Sequence, residues 1–509
     1  MNETLIAGRP AGSSLEISEE EMNELSTQVT QLVTNYFSQV SELPVFPDIS
    51  GGATTKRLGA SLPVEGEPLD QLLDDCRSIL DGSRHNGHPR FFGYVASPST
   101  PPGAFADLIA STLNSNVTSW RSGPAATETE RTVVRWLASL IGYGDEAAGI
   151  LTSGGSMANL TALMIAHRSR ANTENKDVAA TGLWNSGAPM TIYASEQIHM
   201  SIPKAADILG LGRQQVRLVE CDDRFRMNVH SLRELITKDL AGGLRPFCVV
   251  ASAGTVNTGA VDPLDEVAAV AKEFGLWFHV DGAYGALAAS DETKRPLFRG
   301  LGRADSVSLD PHKWLYVPLD CGCLLFRDEA QARATFSFDE ADYIKVHEQN
   351  AEESFAFWNY GPELSRRFRA LKIWLTLRYY GTRRIARAIS EDIALAAYLG
   401  QAIEEADDFE LLAPPELSIC CFRYVPPRLR SKLQDPVEDA GINSELDQLN
   451  NKIMLAVQRG GRAYVSSATL RGKFALRACI TNFRTTRADI DQTLEIIREA
   501  AQDLFGSAV

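Results

Sequence analysis

The sequence predicts an α/β fold: a mostly parallel central sheet flanked by helices, with an N-terminal helical segment and a small C-terminal α+β domain. Three observations carry that prediction. From about residue 100 to 376, strand-like apolar runs alternate with stretches of helical periodicity, the pattern of a parallel sheet covered on both faces. Beyond 376 the order changes to a strand bracketed by Pro414–Pro415 and Pro426–Pro427, then helical and strand-like runs without that alternation. Before 100 there are helical patterns but too little continuous apolar sequence for an independent core. The 509 residues suit about three units of roughly 150 residues, divided as 1–100, 101–376 and 377–509.

After a loose tail over 1–17, Ser18 and Glu21 form a capping box, and Ile17 with Met22 can make a hydrophobic staple. The helix they open carries Met22, Leu25, Val29, Leu32, Val33, Tyr36 and Phe37 at helical spacing. Pro44, Pro47 and Gly51–Gly52 break the pattern, and a second helix is expected over Leu69–Leu80. Candidate strands of the central sheet are Gly149–Thr152, Thr191–Ala194, Val216–Val219, Phe247–Ala251, Leu276–Val280, Ser306–Leu309 and Cys323–Phe326. One intervening helix takes Asp262 as N-cap and Pro263 as its first residue, and stops before Gly275. A long helix is expected over Glu363–Tyr380. In the last unit, strands over Leu417–Tyr424, Ala463–Ser467 and Phe474–Ile480 accompany a helix over Ser444–Arg459, halted by Gly460–Gly461, and a final helix.

Composition narrows the class. Hydrophobic residues at 44% and charged residues at 23% are ordinary for a soluble globular protein. A net charge of -15 argues against nucleic-acid or anionic-membrane partners, which need basic patches. No apolar stretch approaches the ~20 residues that span a bilayer. Met1–Ser14 lacks the basic-then-apolar pattern of a signal peptide. Among the eight cysteines, Cys321 and Cys323 are two apart and Cys420 and Cys421 adjacent. Neither is a zinc spacing, so buried reduced thiols and a cytoplasmic setting are expected, with no metal.

Two strand ends carry the chemistry. Leu276–Val280 ends in Asp281, Gly282, Ala283 and Tyr284, and Ser306–Leu309 runs into Asp310, Pro311, His312, Lys313 and Trp314. Ligands of such sheets bind beyond the carboxyl ends of the strands. A carboxylate at one end and an amine at another can clamp the two ends of a pyridoxal 5′-phosphate ring. The carboxylate keeps the pyridine nitrogen protonated, and the amine forms a Schiff base. Crowding by Pro311, His312 and Trp314 is expected to desolvate Lys313 and lower its pKa. Thr152–Ser156, between a strand and the helix Met157–Arg170, brings backbone N–H groups and a helix N-terminus to an anion, although an ordinary βα turn has the same Gly-Gly-Ser. His199, just after the strand Thr191–Ala194, could stack on the ring or simply cap a helix. No Gly-x-Gly-x-x-Gly follows the first strand, which counts against a dinucleotide-dependent dehydrogenase.

In order and spacing these features resemble the group II pyridoxal-phosphate decarboxylases, the fold-type I family that includes aromatic-L-amino-acid and glutamate decarboxylases. The resemblance spans roughly residues 70 to 490. It rests on His88-Pro89 with Phe91-Phe92, Ser119-Trp120 leading to Pro124 and Glu128, Gly154-Gly155-Ser156, His199, Gly254-Thr255, His279-Val280-Asp281 with Ala283-Tyr284, and Pro311-His312-Lys313-Trp314. Arg366-Arg367-Phe368-Arg369 and Leu476-Arg477 look like the family's later landmarks. The resemblance implies decarboxylation of an L-amino acid to its amine and carbon dioxide, an aromatic substrate such as tryptophan, tyrosine or dopa leading. It implies Lys313 as the Schiff-base lysine, Asp281 on the pyridine nitrogen, Ala283 near the ring, His199 stacked over it, Gly155 and Ser156 on the phosphate, Thr255 near the 3′-oxygen and His312 beside the lysine. It also implies a catalytic loop over Phe338–Asn350 whose Tyr343 protonates the carbanion. A homodimer is implied too, with the active site at the interface and the N-terminal segment over the partner, which fits the coreless opening helices.

Two departures from the family pattern stand out. Asp310 replaces a frequent Asn, and its carboxylate is expected to point away from the phosphate. In the substrate pocket, Tyr94 precedes Val95, which replaces a usual Phe, while Asn116 and Thr118 replace mostly apolar residues. Glutamate or a diamino acid such as diaminobutyrate therefore stays open as substrate. Oxidative deamination to an aldehyde is a further alternative. The family's aldehyde formers usually alter the stacking histidine or the loop tyrosine, and this chain keeps both.

Overall fold

The computed structural model describes residues 15–59, 61–173, 178–183, 187–337, 350, 353–430 and 439–505. Among these described residues, twelve strands form two sheets. In chain order they are β1 (Phe91–Phe92), β2 (Ala148–Thr152), β3 (Met190–Ser195), β4 (Val216–Val219), β5 (Arg245–Ser252), β6 (Trp277–Asp281), β7 (Ser306–Leu309), β8 (Gly322–Phe326), β9 (Phe409–Ala413), β10 (Ile419–Tyr424), β11 (Tyr464–Leu470) and β12 (Lys473–Cys479). The large sheet runs β2-β8-β7-β6-β5-β3-β4, with β8 running opposite to the other six strands. Strands β3, β6 and β7 are buried at every residue, as a sheet covered on both faces requires. The seven expected strands of this sheet are all present, with bounds shifted by up to two residues.

The small sheet runs β1-β11-β12-β10-β9. β1, from the opening segment, pairs in parallel with β11. That pairing and β9 were not expected: two residues carry no periodicity, and the Phe409–Ala413 pattern is short.

Three local expectations are corrected. The helix expected over Glu363–Tyr380 begins only at Ala370. Upstream, the Arg366 backbone N–H donates to Asn116 Oδ1 at 2.9 Å and its carbonyl accepts from the Val117 N–H at 2.8 Å, so residue 366 is bonded to a distant segment and not into a helix. Asp262 caps no helix; its two oxygens accept from the Met227 and Ser252 N–H groups, each at 2.7 Å, and Pro263 is the N-cap of Leu264–Phe274. The helix after β2 starts at Gly155, two residues before the expected Met157. The Ser18–Glu21 capping box forms as expected, on a helix (Glu19–Gln39) that buries none of its residues in this chain. No described helix is long and apolar enough to cross a membrane.

Candidate active site

The carboxyl-terminal edge of the large sheet is where the chemistry gathers. β6 ends on Asp281, paired in register with Ser308 of the adjacent β7, and β7 leads through Asp310 to Lys313. The turn after β2, the segment after β3 and the end of β5 reach the same edge. Together they enclose a cavity of about 750 Å³, lined by Asp281, Lys313, His199 and Gly154–Ser156 among others.

Asp281 is buried and its carboxylate is held by three donors. Asn159 Nδ2 gives to Oδ2 at 2.9 Å, and the Ala283 N–H and Ser308 Oγ give to Oδ1 at 3.2 Å each. Behind Asn159 lies a relay whose directions are fixed by chemistry. Asn159 Oδ1 can only accept, so His279 Nε2, 3.0 Å away, carries the proton. Burial pushes the His279 imidazole down to about 4, so the ring is neutral and its Nδ1 accepts from Ser306 Oγ at 2.9 Å. Ser306 in turn accepts from Trp277 Nε1 at 2.9 Å. Asn159 Nδ2 also donates to Ser201 Oγ, leaving that hydroxyl to donate to His199 Nδ1 at 2.8 Å. Burial, against the pull of Asp281, lowers the His199 pKa. His199 is thus a neutral ring with its proton on Nε2, locked in place by the network that orients Asp281.

Lys313 departs from its expectation. Burial pulls its pKa down, but Asp310 and, more weakly, Asp281 outweigh burial and raise it. Lys313 Nζ lies 2.9 Å from Asp310 Oδ2. Asp310 also departs from its expectation, because its carboxylate faces the glycine turn. A Cβ on Gly155 would meet Asp310 Oδ2 and Ala283 Cβ, each at 2.9 Å. Asp310 Oδ1 is buried without a hydrogen-bond partner among the described residues.

These residues fit pyridoxal 5′-phosphate. The Gly155 cradle would be filled by any side chain, the Gly155–Thr173 helix opens its N-terminus there, and an oriented carboxylate and an amine line the same cavity. Gly254 backs the cavity with φ +104°, where a Cβ would strike Tyr284 at 2.9 Å.

Ala283, Ser156, His312, Tyr94 and Val95 also line the cavity. Thr255 does not; its hydroxyl pairs with Thr258 Oγ1 at 2.9 Å, and Ser252 of β5 lines the wall instead. Asn116 and Thr118 lie outside this chain's cavity, Asn116 being engaged with Leu364 and Arg366. Tyr343 is outside the described residues. Sequence reasoning missed Asn159, Ser201 and the role of Arg477. Arg477 is buried at the cavity wall. It donates to the carbonyls of Tyr94 (2.7 Å), Val256 (3.0 Å) and Asn257 (3.2 Å), and its Nη2 has no partner among the described residues.

Comparison with known proteins agrees with this geometry. The sequence profile described as "Pyridoxal-dependent decarboxylase conserved domain" matches residues 52–425. The chain is 35% identical to an aromatic-L-amino-acid decarboxylase of Bacillus atrophaeus, over 96% of this chain and 98% of that protein. It is 30% identical to a 4-hydroxyphenylacetaldehyde synthase of Rhodiola rosea, over 95% and 96% of the two chains. The crystal structure of Oryza sativa TDC with PLP and tryptamine superposes with a TM-score of 0.87 at 27% identity, covering 97% of this chain and all of that one. The chain therefore belongs to the pyridoxal-dependent decarboxylase family and is an amino-acid carboxy-lyase that works with pyridoxal 5′-phosphate.

Proposed function

We propose that this enzyme decarboxylates an aromatic L-amino acid to its amine, with Lys313 as the covalent attachment point of the cofactor. The observation that carries the reading is the placement of Lys313 and the oriented Asp281 carboxylate on the walls of one cavity beside a glycine cradle. When bound, the cofactor supplies an electron sink for the electrons released as carbon dioxide departs. Asp281 would meet the ring nitrogen, Gly155 and Ser156 the phosphate, Ala283 and His199 the two faces of the ring, and His312 would flank the lysine. Loading requires the Lys313–Asp310 ion pair to part, since only the neutral amine attacks a carbonyl.

Arg477 supports a role in substrate binding. It keeps a free Nη2 in a wall of the cavity and pairs with no described carboxylate, so it suits the substrate's carboxylate and would turn it relative to the ring. The outer cavity supports an aromatic side chain: Tyr94 and Tyr464 lie with ring centroids 6.0 Å apart, alongside Val95 and Met454. The Bacillus relative points the same way.

Replacing Lys313 with Ala should abolish turnover and the borohydride-stable adduct with cofactor. An active Lys313→Ala enzyme refutes the assignment. A screen of labelled L-amino acids for carbon dioxide identifies the substrate, and aromatic ones should lead.

A second outcome, oxidative formation of an aldehyde, is favoured by the likeness to the Rhodiola enzyme. The neutral His199 held by Ser201 supports the amine. With Tyr343 as proton donor to the α-carbon, Tyr343→Phe should move product from amine towards aldehyde and hydrogen peroxide; an unchanged ratio removes Tyr343 from that role. Unpaired cysteines, none in a disulfide, support a reducing cytoplasm. The helix Glu19–Gln39, with Met22, Leu25 and Val29 exposed, supports a homodimer that covers it.

A further inference from the structure

A carboxyl group that does not line the cavity grips the turn that carries Lys313. That turn, Pro311–Trp314, is a single four-residue helical turn and has little means of holding itself. Just past it, Tyr316 sits at φ +55°, a backbone conformation that tyrosine seldom adopts. Trp314 Nε1 and the Tyr316 hydroxyl both donate to one oxygen, Oδ2 of Asp392, at 2.9 and 2.7 Å. Asp392 stands on the helix Thr382–Glu405 and is 1% exposed. Among the described residues no cation forms an ion pair with it, and the Asn482 backbone N–H and Glu391 also act on its carboxyl. A buried carboxyl without a cation is costly, and an apolar side chain would fill the space more cheaply unless the two donors must be held.

What those donors hold reaches both arms of the site. The Trp314 indole stacks on Tyr284 with centroids 5.1 Å apart and planes 10° apart. Tyr284 follows Asp281 by three residues and is pinned by Ser418, its hydroxyl pairing with Ser418 Oγ at 2.7 Å and accepting the Ser418 N–H at 3.0 Å. One side of Trp314 therefore bears on the segment that presents the carboxylate, while its backbone carries the lysine. We infer that Asp392 is a positioning residue that, through Trp314 and Tyr316, braces the Lys313 turn against the Asp281 arm. The inference rests on Lys313 being the cofactor's attachment point.

The test compares Asp392→Leu, Asp392→Asn and Tyr316→Phe with the wild type. One amide oxygen can accept from both donors, so Asn should preserve the brace and Leu should break it. Tyr316→Phe removes a single donor and leaves the core apolar, which keeps the test open should the Leu variant fold poorly. In Asp392→Leu, pyridoxal 5′-phosphate should dissociate about tenfold faster and kcat should fall about tenfold with KM little changed, because the attacking amine is displaced but the substrate pocket is not. Tyr316→Phe should show the same pattern more weakly, and Asn should recover most of the loss. The near-ultraviolet circular dichroism of the apoprotein should weaken in Asp392→Leu and persist in Asp392→Asn, reporting the indole stack without any turnover. Wild-type dissociation and kcat in both Asp392→Leu and Tyr316→Phe overturn the brace, as does an Asn variant as impaired as Leu. So does a fall in melting temperature alone. A wild type in which borohydride fixes no cofactor on Lys313 overturns the attachment reading, and the brace with it; the adduct in the wild type separates the two failures.

Discussion

At the scale of single residues, Asp310 has the most consequence for how the enzyme is loaded. Its carboxylate pairs with the Lys313 ammonium and at the same time faces the glycine turn that the proposed reading gives to the phosphate. Both effects oppose cofactor binding. Asp310→Asn removes the charge, keeps the shape, and lets the Lys313 pKa fall under the burial that already pulls on it. The variant should bind pyridoxal 5′-phosphate about fivefold more tightly, the size of one partly screened charge contact near 1 kcal/mol. A titration of apoprotein followed by visible absorption measures it, and weaker binding by the Asn variant would contradict this account. Asp281 and Lys313 were legible in the sequence because one closes an apolar strand run and the other comes just past the end of a second strand, after Asp310, Pro311 and His312, so chain order alone places both at a sheet edge. The partners that orient them were not. Asn159 meets Asp281 across 122 residues and His279 across 120, and nothing local to Asn159 marks it off from any helical asparagine.

At the scale of elements, the decisive contact is one that no pattern predicts. Arg366 and Glu130 form an ion pair in which neither side chain is exposed. Arg366 also donates to the carbonyls of Val117 (2.6 Å) and Leu151 (2.8 Å), while Glu130 accepts the Leu151 N–H at 2.9 Å. The guanidinium lies 4.3 Å from the Phe357 ring centroid. Four segments thus converge on β2 just before its glycine turn. This is why Glu363–Arg369 fails to be helical although its periodicity invites a helix: the backbone and side chain of Arg366 are committed to the 116–117 segment and to β2. Strands such as β5, β6 and β8 were legible for the opposite reason, since burial on both faces forces apolar runs that stand out in any window. Arg366→Ala leaves Glu130 buried and unpaired, and it should cost about 3–5 kcal/mol of stability. Urea unfolding measures the loss. The double variant Arg366→Met with Glu130→Leu should recover much of it, because it removes both charges together; a single variant within 1 kcal/mol of the wild type, against this scale, would mean that the pair does not organise the β2 end.

At the scale of the whole molecule, stability should depend on pH through two sets of buried groups that act in opposite directions. Burial raises the carboxyl pKa of Asp392 to about 7 and of Asp262 to about 6. Burial lowers the imidazoles of His88, His167 and His279 to about 4. The acids bind more protons in the folded state, so their contribution is complete below the ordinary carboxylate range near 4 and is lost as pH rises through about 6 and 7. The histidines bind more protons in the unfolded state, so their contribution is complete above about 6.5 and is lost as pH falls towards 4. In the wild type the two slopes overlap and partly cancel, and a plain stability profile would look deceptively flat. Single variants separate them. Relative to the wild type, Asp392→Asn should gain stability as pH rises from about 4 to 7 and then level off, because it no longer has a proton to lose. His167→Phe removes an imidazole whose Nε2 has no partner among the described residues, and its gain should grow in the other direction, as pH falls from about 6.5 to 4. Thermal midpoints of the three apoproteins across pH 4 to 8 test both signs at once. Parallel profiles would show that neither group titrates on unfolding, and a shared slope would show that the opposing balance assigned to these buried groups is wrong.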